Sequence, residues 1–206
     1  MIFNIVTAFP NFYDSFLETS LIKKAIDNEI ISFNIVDIKK FGLGKYRQID
    51  DRPYGGGCGM VLKVDVVAST LESIRNKGCV IALSPKGEMF NQKEAQSLSK
   101  LSSITLISSR YEGFDERVYS LCEKTISIGN YVTMGGEVPS LVLIEAISRL
   151  IPKVIQNKDS VKQESFSKGT EKEYPQYTKP LEFNGMKVPD ILLSGNHKKI
   201  KEWRGY

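Results

Sequence analysis

The run ITLISSRYEGFDERVYSLCEKTISIGNYVTMGGEVPSLVLIEAISRLIP, residues 104–152, decides the fold class. It opens on a short apolar run at 104–108, turns through the polar residues 109–113, and continues in a helix-like segment at 115–122. A second apolar run follows at 125–128. After a glycine-rich turn comes a helix predicted over 139–151, with Pro139 near its first turn and good helix formers behind it. Strand and helix alternate with short connections, which predicts an α/β fold with a mostly parallel sheet covered on both faces. Working outward, 1–9 reads as a strand ended by Pro10, and 12–28 as a helix with Phe16, Leu17, Ile22 and Ile26 on one broad face. Residues 30–38 form a second β-like run. Residues 64–75 read as a helix with Val67, Leu71 and Ile74 inward, 79–83 as a buried strand and 92–100 as a helix. Beyond Pro152 the chain turns polar and loses its periodicity. The expected organisation is an α/β domain over 1–156, a mobile linker over 157–172, and a small helical tail domain over 173–206 whose last helix is capped by Asn196.

Composition narrows the function. The 206 residues are 41% hydrophobic and 25% charged, with a net charge of +4, so collagen, coiled coil and wholesale disorder are excluded. The mild basic lean permits a phosphate-bearing partner without requiring one. The longest uncharged stretch, 1–13, is too short for a membrane span and lacks the flanks of a signal peptide. The three cysteines are far apart and form no CxxC pair, which argues against a zinc cage or disulfide framework. Reduced thiols and a cytoplasmic protein are the expectation. No dinucleotide fingerprint, P-loop or nucleophile elbow is present, and the single histidine, His197, leaves little material for Ser-His-Asp or His-metal chemistry.

What remains is a set of turns. Asp50-Asp51-Arg52-Pro53-Tyr54-Gly55-Gly56-Gly57-Cys58-Gly59 places four glycines in five positions. Such backbone either cradles a flat ligand or phosphate, or is an ordinary surface loop. Three segments follow strands: Leu83-Ser84-Pro85-Lys86-Gly87, Ser109-Arg110-Tyr111-Glu112-Gly113, and the stretch from Ser127 and Ile128 through Glu137. In a parallel sheet such turns open on one edge, where α/β proteins bind ligands, and together they suit an adenosine-like molecule. The helix after Gly136 is apolar nearly all round and is expected to be buried. Arg149 at its end is a cation favoured by the helix dipole, a member of an interface ion pair, or a fixed guanidinium facing a substrate oxygen. Lys39, Lys40, Lys45 and Arg47 form one basic cluster; Lys198, Lys199, Lys201 and Arg204, beside Trp203, form another. The tail helix with Trp203 is either a solvated face or an RNA-contacting surface.

The segments DDRPYGGGCGM (50–60), SRYEGFDERV (109–118), SIGNYVTMGGEVPSLVLIEAISRLIP (127–152) and LLSGNHKKIKEWR (192–204) resemble the bacterial tRNA (guanine-N1)-methyltransferases of the SPOUT class, and the likeness runs from residue 1 to 206. The resemblance implies methyl transfer from S-adenosylmethionine to N1 of the guanine immediately 3′ to the anticodon, position 37. It implies a deep trefoil knot in the C-terminal half of the α/β domain. It also implies a homodimer with shared active sites, and a tail domain that grips the tRNA anticodon arm. The methyl donor would be held by Leu83, Ser84, Pro85, Ser109, Tyr111, Glu112, Gly113, Ser127, Ile128, Gly129, Asn130, Tyr131, Val132, Thr133, Gly135 and Gly136. The target guanine would meet Asp51, Gly55, Gly56 and Gly57. Glu164 would act as general base and Arg149 would stabilise charge on the guanine O6. The family also uses Mg²⁺, with Glu112 the candidate for organising it; no metal ligand set is assigned. Departures are Glu164 where the family has Asp, Ser109 where it tends to have Gly, Gln176 where it has His, and an end at 206 that leaves the expected tail domain incomplete. A rival expectation is a catalytically weak dimeric RNA- or cofactor-binding protein of the same fold.

Overall fold

The computed structural model describes residues 1–155, 165–166 and 173–205. The chain divides into two compact units, Met1–Lys158 and Asp159–Tyr206. The strands of the first unit are β1 (Ile2–Thr7), β2 (Ser32–Asp37), β3 (Asp50–Asp51), β4 (Val61–Leu62), β5 (Cys79–Met89), β6 (Ser103–Ser108) and β7 (Lys124–Ser127). Five of them form an all-parallel sheet in the order β2-β1-β6-β5-β7, and β3 and β4 form a separate antiparallel ribbon.

Alternation along the strands explains their continuous apolar reading. Ile5, Leu106, Ile81 and Leu83 face one layer, with Ile22 and Ala25 of helix α2 (Ser20–Asp27), Leu98 of α4 (Gln92–Leu98), and Leu143, Ile144 and Ile147 of α5 (Glu137–Ser148). Val6, Ile107, Val80 and Ala82 face the other, with Val66, Val67 and Leu71 of α3 (Val64–Glu72). Strands buried on both faces carry apolar residues at successive positions. Each such side chain, fully withdrawn from water, contributes about 1.5–3 kcal/mol before entropy is counted.

Four expectations need correction. The helix over 12–28 is broken into a 3₁₀ turn at Pro10–Tyr13, α1 (Asp14–Leu17) and α2. Thr19 is extended, at φ −105° and ψ 131°, and its hydroxyl donates back to the Ser15 carbonyl. Such local side-chain bonding competes with helix continuation. The strand expected at 79–83 runs on to Met89, so 83–87 is an arch within β5 and not a strand-to-helix turn. Leu83 and Glu88 both pair with Ile126, and the intervening residues bulge out. Pro85, with no N–H to offer a ladder, sits in that bulge. Gly87 returns the strand to β7, since a Cβ there would lie 2.5 Å from the Ile126 nitrogen. The segment 115–122 is a 3₁₀ helix, Glu116–Leu121, whose first turn is capped by Asp115 accepting from the Arg117 N–H at 3.0 Å. Finally, α5 is buried on one face only: Val138 and Val142, one turn apart, are exposed, because the sheet covers just one side of it.

The second unit contains an antiparallel pair, β8 (Glu182–Phe183) with β9 (Met186–Lys187), and helices at Asp190–Leu193 and His197–Trp203. Asn196 caps the last helix, its side-chain oxygen accepting from the Lys199 N–H at 3.1 Å. Of the expected linker only Ser165 and Phe166 lie within the described residues. Among the described residues no helix is long and apolar enough to cross a membrane.

Candidate active site

β5, β6 and β7 are parallel neighbours, so their C-terminal ends reach the same sheet edge. There the β5 arch, the turn after β6 and the long turn after β7 enclose a cavity of about 290 Å³. Leu83, Ser84, Pro85, Ser109, Tyr111, Glu112, Gly113, Ser127, Ile128, Tyr131, Val132, Thr133, Gly135 and Gly136 all line it. Gly129 and Asn130 lie between lining residues but are not on its wall. Leu83 and Ile126 supply a buried apolar surface, while the serine and threonine residues add hydroxyls. The arch is held by Ser84, whose Oγ lies 3.1 Å from the Tyr119 hydroxyl, and by the Lys86–Glu116 ion pair at 3.1 Å. That hydrogen-bonded carboxylate raises the Lys86 pKa. Tyr111 sits at φ 57° on the crevice rim, with its pKa raised by partial burial.

The crevice is braced from behind by a charge cluster. Glu137, the first residue of α5, is 1% exposed, yet its side chain is a carboxylate. Thr7 Oγ1, at the end of β1, donates to Glu137 Oε1 at 2.9 Å, and Arg110 Nε lies 2.9 Å from Oε2. The Nε–H is not aimed along that line, so this contact is a close ion pair and not an aligned hydrogen bond. The Arg110 guanidinium also stacks over the Phe9 ring at 4.3 Å. The helix N-terminus adds further favourable field for the carboxylate. The chain must pass very close by: a Cβ on Gly135 would lie 2.6 Å from Arg110 Nε, and one on Gly136 2.6 Å from Ser108 Cα. Beneath this, the Tyr13 hydroxyl meets Ser140 Oγ at 2.8 Å, and burial raises its pKa.

The glycine loop is tied to the same edge. Leu62 of β4 donates to the Gly113 carbonyl at 3.0 Å and Asp115 donates to Leu62 at 3.0 Å. The Glu112 side chain packs on Gly59, where a Cβ would come within 2.5 Å of it. Gly55 and Gly56 have φ of 82° and 80°, with nothing within 4 Å of a Cβ, so conformation and not crowding demands glycine there. Asp51 lies on β3, its Oδ2 3.6 Å from Lys63 Nζ. Asp51, Gly55, Gly56 and Gly57 adjoin the crevice through this ribbon but do not line it.

Arg149 is not brought to the crevice. It caps the far end of α5, about 18 Å from Glu137 at 1.5 Å per residue, and lines a separate cavity of about 250 Å³ with Phe16, Leu21 and Ile22. Glu164 lies outside the described residues. Among the described residues no cluster of three or more His, Cys, Asp or Glu side chains is placed to hold a metal ion. Sequence reasoning missed Thr7, Phe9, Arg110 and Glu137 as a unit. The only local signal was an acidic residue opening a largely apolar helix.

Comparison with known proteins agrees with this arrangement. The family model described as tRNA (guanine-1)-methyltransferase TrmD matches residues 1–206. A tRNA (guanine-N(1)-)-methyltransferase of Mycoplasmopsis agalactiae is 50% identical over 202 residues, covering 98% of this chain and 88% of that protein. Proteins of the same name from Dictyoglomus turgidum and Thermus thermophilus are 48% and 46% identical, covering 98% and 99% of this chain and 82% and 85% of theirs. Likeness over nearly the whole length, on a parallel sheet whose strand ends meet in one crevice, places the chain: it belongs to the tRNA (guanine-1)-methyltransferase TrmD family.

Proposed function

We propose that this protein transfers a methyl group from S-adenosylmethionine to N1 of the guanine immediately 3′ to the anticodon of tRNA, position 37. The observation that carries the reading is the convergence of the β5 arch, the turn after β6 and the turn after β7 on one crevice. The wall fits the donor: apolar Leu83 and Ile126 suit a flat purine, hydroxyls suit a ribose, and Glu112 on the rim suits a cationic group. The cavity is at the small end of the roughly 300–1,000 Å³ usual for such ligands. When bound, the donor supplies a methyl group on a positively charged sulfur.

The remaining chemistry falls to the protein. N1 of guanine is a weak nucleophile until its proton leaves. Glu164 accepts that proton, and Arg149 receives the charge that gathers on O6, a preorganised contact worth up to about 3–4 kcal/mol. The distance along α5 means a subunit's own Arg149 cannot serve the crevice that its α5 opens. The role therefore passes to Arg149 of the partner subunit in a homodimer, for which the exposed Val138 and Val142 of α5 supply an apolar face. The 157–172 linker would deliver Glu164, and the basic helix His197–Trp203 would meet the anticodon arm. The glycine loop would receive the target base, which must leave its stack to react. The family's trefoil knot is supported by the return of the chain after β7 across the β6 turn, where the Gly136 N–H donates to Ser109 O at 2.8 Å. No step is assigned to Mg²⁺.

Single-turnover assays with tRNA bearing G or A at the target position test the reading. Methylation of the first alone is expected, and modification of neither would leave only a binding protein. Glu164→Gln should slow the chemical step at least about 10²-fold with tRNA affinity kept; an unchanged rate removes the base role.

A further inference from the structure

Ahead of the glycine loop lies a feature the methyl-transfer reading leaves unused. Leu43 and Gln48 exchange backbone hydrogen bonds, N–H to carbonyl in both directions at 2.9 Å, and close a small hairpin. Gly44, Lys45, Tyr46 and Arg47 form its tip. The tip is fixed in shape: the Arg47 N–H donates to the Gly44 carbonyl at 3.2 Å, and a Cβ on Gly42 would lie 2.1 Å from Arg47 O. It nevertheless presents Tyr46 81% exposed, with Lys45 Nζ 5.9 Å from the ring. Nearby in sequence, Tyr54 is fully exposed. Among the described residues neither Lys45 nor Arg47, nor the neighbouring Arg52, forms an ion pair with a carboxylate.

The exposed Tyr46 ring, with Lys45 beside it and Arg47 next in sequence, buries nothing within the chain. It matches a base and its two flanking phosphates. Bases in a duplex are already stacked, so the ring suits an unpaired one. We propose that Lys45, Tyr46 and Arg47 dock single-stranded RNA, Tyr46 stacking on an unpaired base and the two cations meeting the adjoining phosphates. The proposal rests on the tRNA reading for the identity of that RNA, a loop nucleotide near the target base. Arg47 and Tyr54 are seven chain steps apart, at most about 25 Å, so tip and glycine loop lie within reach of one RNA loop.

The test uses the full chain. Methylation kinetics on tRNA, and fluorescence anisotropy with a short unpaired RNA and a duplex of equal length, are measured against salt for Tyr46→Ala, Tyr46→Phe and the double variant Lys45→Ala/Arg47→Ala. Tyr46→Ala should raise KM for tRNA about tenfold, with kcat and donor affinity unchanged, and Tyr46→Phe should restore it. The double variant should weaken binding and reduce the salt slope by about 1.4, two phosphate contacts on a single strand. KM within twofold of the wild type for every variant overturns the proposal, as does a changed sedimentation mass with unchanged RNA affinity, which would make the tip a self-association contact. Failure of the wild type to methylate tRNA would instead strike the catalytic reading, and unpaired-RNA anisotropy would still decide the tip.

Discussion

The two compact units are stabilised on different terms. The first sandwiches a five-stranded sheet between apolar layers and can hold a buried carboxylate, Glu137, at a helix start. In the second, none of the described residues is buried; a two-residue hairpin and two short helices supply its order. Isolated hairpins are marginal in water. The difference teaches where rigid chemistry can be placed: a site that must hold side chains to a fraction of an ångström needs the first kind of scaffold, while a surface that grips a large partner can be built on the second.

The contrast can be broken by experiment. Leu143→Ala, a fully buried position on α5, should cost about 4 kcal/mol. Urea melts followed by far-UV circular dichroism should shift, while fluorescence of Trp203, the sole tryptophan and a residue of the second unit, should not; a coincident shift would unite the two units. Arg110→Ala should cost about 3 kcal/mol, because it leaves Glu137 buried without its counter-charge, and adding Glu137→Gln should recover part of that loss. A smaller effect comes from Asp115, whose carboxyl is held down at about 2 by hydrogen bonds from Arg117. A depressed carboxyl stabilises the fold above its unfolded value near 3.9, and that contribution fades as pH falls toward about 2. An NMR titration should find the midpoint there, and Arg117→Ala should return it toward the ordinary value. Least of all in energy, thiol labelling at pH 8 should modify exposed Cys58 alone in the native protein. Burial pushes Cys122 up to about 11 and raises Cys79, so both should react only after unfolding.

The parallel strands were legible because burial on both faces leaves apolar runs, as at residues 79–83. The arch of β5 was not, since Ser84-Pro85-Lys86-Gly87 has the chemistry of a turn whether or not the strand resumes beyond it. The break at Thr19 depended on one residue's backbone and hydroxyl, below the resolution of helical spacing. The crevice wall could be anticipated from small and polar residues at strand ends. Its brace could not: Thr7 and Glu137 lie 130 positions apart, and one sequence carries no record of which distant pairs meet.

The sheet order has a consequence for the protein's manufacture. β1 leaves the ribosome first, and one of its two flanking strands, β6, begins about a hundred residues later. At roughly 5–20 residues per second, an apolar edge waits on the order of 5–20 s for its partner. During that interval the nascent chain offers a ready template for stray β-pairing, so demand for chaperone cover should be greatest before residue 108 emerges and should fall once β6 has docked.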